Sequence, residues 1–414
     1  MKENIIANIE NPKELEKLYR LSRSSFKTEF NSAYPELKNN KLADFWSERL
    51  NYESTDVSLG TKREITFLII ASLLAAAIVK IPAYLPVGEE YFYTRNVGFV
   101  FFPILIMYFS WRNKLPVKKF AIAAAAVLFS MVFINLLPDN NNSDTLTLSC
   151  IHLPLFLWSV LGFTFTGDSF KSYNERLGYL RYNGDLIVIT AIILIAGGIL
   201  TALTQGLFSL IEFEIFEFYL QYIAIPGAAA APIIGTYVIE KNPQLVNKVS
   251  PVIAKIFCPV VLVTLIVYLI AIIISGKDPY NDRDFLIAFN GLLIIVMAII
   301  VFSIAETSKS DKNRIEILIL FLLSAVTIIV NGIALSAILF RISEWGITPN
   351  RAAVLGGNIL ILTNLLLVTY KLFRTLLNKS DPEEIGKTIS AFLPIYCIWI
   401  VIVTFLFPLI FGFR

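Results

Sequence analysis

The sequence predicts an all-α fold: a polytopic transmembrane helix bundle of about eleven spans, preceded by a short N-terminal cytosolic helical hairpin. Three observations predict it. Apolar runs of roughly 20 residues, the length that crosses a bilayer core as a helix, recur from Ile65 onward. Of the 414 residues 56% are hydrophobic and only 16% charged, with a mean hydropathy of +0.68, whereas a soluble chain carries about 25% charged residues. Lysine and arginine also alternate from loop to loop, as retention of basic loops on one side of a membrane requires. The same composition, with a net charge of only +3, excludes disorder and a nucleic-acid-binding domain.

Residues 1–64 form the cytosolic unit. Asn11 can cap a helix that Pro12 starts, and Glu14 sits where a carboxylate meets the free amides. Leu15, Leu18, Tyr19, Ser22, Phe26 and Phe30 then recur at helical spacing until Pro35. A second helix carries Leu42, Phe45, Trp46 and Arg49. With 11 basic and 11 acidic residues, this hairpin is too small to hold a large core alone and is expected to dock on the membrane domain or on a protein partner. No short apolar stretch near Met1 matches a cleavable signal, so the run from Ile65 is expected to act as an uncleaved signal anchor.

Residues 65–414 form the transmembrane bundle, with spans at 65–85, 94–111, 120–137, 147–166, 186–207, 219–239, 256–274, 285–303, 315–338, 353–372 and 389–411. Counting each loop with the two span residues on either side, loops after even-numbered spans hold 17 lysines and arginines and loops after odd-numbered spans hold 5. A missed or surplus span would invert every later loop, so the pattern predicts a cytoplasmic N-terminus and an exterior C-terminus. The exterior loops are acidic as well, with Glu89 and Glu90, Asp139 and Asp144, Glu212, Glu214 and Glu217, and Asp278, Asp282 and Asp284. They read either as a solvated face or as a vestibule that concentrates cations.

The sixth span is the least ordinary. Pro226 and Pro232 each remove a helical hydrogen bond, and Gly227, Ala231 and Gly235 follow at intervals of four. Such a helix either packs closely against a neighbour with a kink, or breaks and lets freed carbonyls line a transport site. Within the apolar runs the ionisable candidates are Lys80, His152 and Lys255, each costly to bury unless paired or snorkelled. Lys80 can reach Glu89 and Glu90; His152 is either a satisfied structural imidazole or a proton relay. The amides Asn135, Gln205, Gln221, Asn290, Asn331, Asn358 and Asn364 either bond between helices or line a substrate path. Gln205, Gln221, Asn331 and Asn358 would make a path if they converged beside Pro226 and Gly227.

The three cysteines are far apart and the single histidine stands alone, so no zinc site, haem or iron–sulfur centre, and no other cofactor or metal, is expected. The absence of a Gly-x-x-x-x-Gly-Lys-Ser/Thr loop disfavours ATP-driven transport by this chain alone. The exterior turn from Lys277 to Asp284 packs three aspartates and two bases into eight residues. It is either a self-paired turn or, through Asp282, Arg283 and Asp284, a site for a cation or for acid chemistry on a phosphate-bearing lipid.

Three stretches carry a resemblance. They are Asn11-Pro12 through Leu15-Glu16-Lys17-Leu18-Tyr19-Arg20 to Phe45-Trp46-Ser47-Glu48-Arg49-Leu50-Asn51-Tyr52, then Asp282-Arg283-Asp284-Phe285, then Leu393-Pro394-Ile395-Tyr396 with Phe407-Pro408-Leu409-Ile410-Phe411-Gly412. Together they resemble bacterial multi-pass proteins of the domain-of-unknown-function family 4153, over nearly the whole chain. The resemblance implies an integral protein of the bacterial cytoplasmic (inner) membrane and carries over no catalytic residues.

The leading expectation is permease-like secondary transport of a small solute or ion, and the chain is more readily a non-enzyme. Two alternatives stand beside it. One is a membrane enzyme acting on lipid-linked substrates through Asp282, Arg283 and Asp284. The other is a scaffold whose hairpin presents Phe45 and Trp46 to a cytosolic partner.

Overall fold

The computed structural model describes residues 2–21, 23–37, 40–51, 61–140, 142–169, 172–209, 214–275, 280, 283–307 and 314–413. The chain divides into two compact units, Met1–Ser58 and Leu59–Arg414.

The first unit holds α1 (Lys2–Ala7), α2 (Pro12–Leu21), α3 (Arg23–Ala33) and α4 (Lys41–Asn51). The run expected as one helix from Pro12 is helical on both sides of Ser22, as α2 and α3, and Ser22 itself lies outside the described residues. Asn11 Oδ1 accepts from the Glu14 amide at 3.4 Å, which starts α2 as expected. Ile5, Leu15, Phe26, Phe30, Ala43, Trp46 and Leu50 make the core. The expectation that Phe45 and Trp46 are exposed together is corrected: Phe45 is 60% exposed and Trp46 only 3%. Trp46 shares a helix face with Ala43 and Leu50 and turns inward with them, while Phe45 points away. Glu16 bonds Arg20 at 2.9 Å and Arg49 at 3.0 Å, and these guanidiniums, Arg20 first, hold its carboxyl below the usual carboxylate range.

The second unit is helical throughout its described length. Its elements are α5 (Lys62–Val79), α6 (Ile81–Tyr84), α7 (Glu89–Asn96), α8 (Phe102–Arg112), α9 (Val117–Leu136), α10 (Asp144–Thr166), α11 (Tyr173–Ser209), α12 (Phe216–Tyr219), α13 (Ile225–Lys241), α14 (Pro243–Ser275), α15 (Arg283–Thr307), α16 (Arg314–Trp345), α17 (Pro349–Leu376), α18 (Glu383–Val401) and α19 (Phe407–Ile410). Among the described residues eight helices are long and apolar enough to cross a membrane: Glu89–Arg112, α9, α10, α11, Phe216–Lys241, α16, α17 and Glu383–Ile410. Such a unit is compatible with a multi-pass membrane protein in a lipid bilayer.

Eight is fewer than the eleven spans expected. The runs at 65–85, 256–274 and 285–303 are helical too, in α5 with α6, in α14 and in α15. α5 has 18 residues and opens on Lys62, Arg63 and Glu64, while Lys255–Ile270 and Phe289–Ala305 are the apolar stretches of α14 and α15 that lie wholly among the described residues, inside helices of 33 and 25 residues. Residues 173–185, expected as part of a loop, instead continue the fifth span as one 37-residue helix.

Two apolar clusters form the interior. One gathers Ala75, Phe99, Leu105, Phe109, Ile134, Leu157 and Tyr179; the other gathers Leu265, Phe289, Leu293, Leu323, Ala334, Leu365 and Val368. The start of α11 lies between them, sending Tyr179 and Tyr182 to the first and Leu177 and Leu180 to the second. The second half of α11 is different: Ile195, Ile199, Leu203 and Leu207 are all exposed, as side chains that face lipid are.

Small residues set the close helix contacts. A Cβ built on Gly356 would lie 2.1 Å from the Trp399 ring, and one on Gly184 only 1.8 Å from Phe302. Caps are made where the sequence supplies them. Thr61 and Glu64 form a capping box that starts α5, and Ser143 and Thr348 cap α10 and α17.

Candidate functional site

Two π-helical turns interrupt the helices, Leu220–Ala224 and Ile402–Leu406, and each precedes a proline, Pro226 and Pro408. A proline ring clashes with the carbonyl four residues before it and offers that carbonyl no N–H. Those carbonyls belong to Tyr222 and Thr404, both inside the π turns, so the wide turn relieves the clash without ending the helix. The freed Thr404 carbonyl accepts from Ser149 Oγ at 2.8 Å. The sixth span is therefore continuous from Phe216 to Lys241, carrying an irregular turn rather than a break.

At that turn two of the expected residues meet. Lys80 ends α5, where Pro82 forces a change of helix, and it is 8% exposed. Its Nζ donates to Gln221 Oε1 at 2.6 Å and lies 5.0 Å from the centre of the Tyr222 ring. Lys80 thus does not reach Glu89 or Glu90, which are exposed. Tyr93 Oη donates to the Val79 carbonyl at 2.9 Å, one of the groups left over where α5 stops. Tyr222 was not singled out from the sequence; its position four residues before Pro226 is the signal that marks it.

The opposite end of the same helix pair is closed by charge. Lys241 Nζ bonds Glu64 Oε1 at 2.5 Å, and Arg112 pairs with Glu240 at 2.5 Å. Lys241, then the amide and hydroxyl of Thr61, hold the Glu64 carboxyl down at about 2. Between the two ends Ala71, Ala75 and Val79 are buried along α5 against α13.

The remaining expected residues are elsewhere. Asn358 on α17 donates to Asn290 Oδ1 on α15 at 2.8 Å. Asn331 on α16 is fully buried, and among the described residues neither atom of its amide has a partner. Gln205 lies near the end of α11, its Nε2 without a partner. α13 packs against α5, α11 and α14, so Asn331 and Asn358 belong to a different part of the bundle from Pro226 and Gln221. Gly227 faces open space, while Ala231 and Gly235 are packed, Gly235 against Leu186 and Thr190. The smooth face therefore begins at Ala231 and leaves Gly227 outside it.

His152 Nδ1 is 2.8 Å from the Leu148 carbonyl of its own helix, a local bond. Lys255 pairs with Glu316 at 2.9 Å. Asp282 and the side chains of Arg283 and Asp284 lie outside the described residues. Arg95, within the second span, escaped the sequence reading: it is 3% exposed and donates to the carbonyls of Ile134 and Leu137 and to Asp139, closing the end of α9. No protein-family model matches the chain, and neither a curated protein nor a solved structure shows significant similarity to it.

Proposed function

We propose that this chain is a permease-like secondary transporter of a small solute, with its path at the junction of Lys80, Gln221 and the π turn before Pro226. The observation that carries the reading is a lysine buried at an irregular turn between apolar helices, held by an amide and an aromatic ring rather than by a carboxylate. Ionisable groups inside apolar helices are costly and are kept where they act, and irregular backbone at membrane depth is where transporters hold their cargo.

The proposal includes eleven crossings of the bacterial cytoplasmic membrane, an interior N-terminus, an exterior C-terminus and membership of the domain-of-unknown-function family 4153. What supports the alternation is that polar ties between spans join ends which it assigns to one side. Glu64 with Lys241, Arg112 with Glu240, and Lys255 with Glu316 join ends on the basic side. Lys80 with Gln221, Arg95 with Asp139, and Ser143 with the Phe413 carbonyl join ends on the other.

Purified protein in proteoliposomes, screened with radiolabelled amino acids, sugars and organic acids under a proton or sodium gradient, is expected to accumulate one of these classes. Lys80→Met is expected to lower that uptake at least tenfold while the protein still unfolds cooperatively. No accumulation of any class counts against transport; uptake unchanged in folded Lys80→Met and Gln221→Leu moves the path elsewhere. Fluorescent-protein and periplasmic-phosphatase fusions at residue 414 test the orientation, which fails if the fluorescent fusion matures.

A further inference from the structure

Between α10, α11 and α18 lies a small, open-mouthed recess of about 20 Å³, room for roughly one water-sized group. Ser159, Thr166, Arg176, Tyr179, Pro394 and Cys397 contribute to its lining. Arg176 is the one charged group among the lining residues, and it is 8% exposed. Among the described residues its guanidinium has no carboxylate and no hydrogen-bond acceptor, and Nε is shut off from solvent without a partner. It lies over the face of Tyr173, 4.8 Å from the ring centre.

A buried guanidinium near a helix C-terminus usually serves that helix's unpaired carbonyls. Here that role is filled by others. Asn113 Nδ2 donates to the carbonyls of Thr164 and Phe165 at 3.0 and 2.7 Å, and Thr166 Oγ1 donates to that of Gly162 at 3.0 Å. The acids on the neighbouring start of α18 do not supply the missing charge either, since Glu384 bonds Lys371 and Ser380. Desolvating a guanidinium without a counter-charge costs several kcal/mol, and its planar fork suits a bidentate oxyanion. The packing is built around the recess. Tyr179 gives its hydroxyl to the Trp158 carbonyl at 2.6 Å and lies so close to Gly162 that a Cβ there would come within 2.7 Å of the ring.

We infer that an anionic phosphate group binds at the mouth of this recess and seats one oxygen in it, with Arg176 as its counter-charge. The chemistry is shared by inorganic phosphate and by the phosphodiester of an acidic phospholipid, and the site stands independently of any transport by the chain.

The full chain, purified in detergent and stripped of lipid, tests it with two probes. One is inorganic phosphate against chloride at equal ionic strength; the other is phosphatidylglycerol against phosphatidylcholine in nanodiscs. The expected result is that phosphate, phosphatidylglycerol or both raise the unfolding temperature and bind saturably, and that Arg176→Gln weakens this at least tenfold. Binding of phosphate identifies a soluble anion, and binding of phosphatidylglycerol alone identifies a lipid headgroup. If Arg176→Gln does not fold, Arg176→Lys, which keeps the charge but loses the fork, is expected to show the same loss in smaller measure. Neither probe binding to the native chain, or equal affinity in the folded variants, overturns the inference.

Discussion

Lys80 and Gln221, 141 residues apart in sequence, are joined by a hydrogen bond of 2.6 Å. With the Glu64–Lys241 pair at the other end, this bond fixes α5 antiparallel to the helix formed by α12, the π turn and α13. The rise from Glu64 to Lys80 is about 24 Å and from Gln221 to Lys241 about 30 Å, from helix geometry. Both are close to the thickness of a bilayer's hydrocarbon core, about 30 Å.

Removing the acceptor while keeping the buried cation should cost more than removing both. Gln221→Leu is expected to destabilise the protein by about 2 kcal/mol, the order of a hydrogen bond to a charged group. Lys80→Met combined with Gln221→Leu should recover at least half of that. A double-mutant cycle from thermal unfolding in detergent checks it, and strictly additive losses would contradict the pairing.

Glu64 provides a pH test. Its carboxyl sits at about 2 in the folded chain, below its ordinary value of 4.5. The folded state therefore favours the carboxylate, and the resulting stability is fully present above about pH 4.5 and is lost as the pH falls towards 2. The pair is partly open to solvent, at 25% and 27% side-chain exposure, so its worth is about 1 kcal/mol or less. Glu64→Gln should melt below the native chain at pH 7, and the gap should narrow below pH 4.5. A gap that stays constant down to pH 3 would show that the pair contributes nothing.

Two glycines should respond in opposite ways. Gly356→Ala places a methyl 2.1 Å from the Trp399 ring and is expected to cost about 1–3 kcal/mol by overpacking. Gly227→Ala meets nothing within 4 Å and should be neutral, or stabilising by about 0.5 kcal/mol because alanine leaves the unfolded chain less freedom to gain. Parallel melting curves settle both. If Gly227 borders the solute path, Gly227→Trp lowers uptake with little change in melting temperature.

Asn331 separates stability from function. Among the described residues its fully buried amide has no partner, a state that costs about 1–3 kcal/mol. Asn331→Leu is therefore expected to raise the unfolding temperature. A lowered temperature would mean that the amide is satisfied by bound water or a ligand in the working protein.

Much of the bundle was legible because membrane spans announce themselves locally. A bilayer demands an unbroken apolar run for each crossing, and helices are the form in which such a run satisfies its own backbone. The run around Pro226 is an example: its length, its prolines and the four-residue spacing of Gly227, Ala231 and Gly235 could all be read before any contact was known. The counting was less secure where charge and apolar sequence adjoin. Lys62, Arg63 and Glu64 belong to the same helix as the first apolar run, and residues 173–185 continue into the fifth. Backbone hydrogen bonding does not stop where hydropathy changes.

That this chain is helical, that its helices are apolar enough for a membrane, and which few polar residues interrupt them can all be read from the residue order. These follow from properties of neighbouring residues. The partners came from the packing of the helices: Lys80 went to Gln221 instead of Glu89, Asn358 to Asn290, Trp46 into a core, and Arg176 into a recess with no counter-charge among the described residues. Such pairings depend on how helices remote in sequence turn about their axes and which ends come together. One step of a helix moves a side chain through about 100°, enough to exchange a packed partner for solvent, as the adjacent Phe45 and Trp46 show.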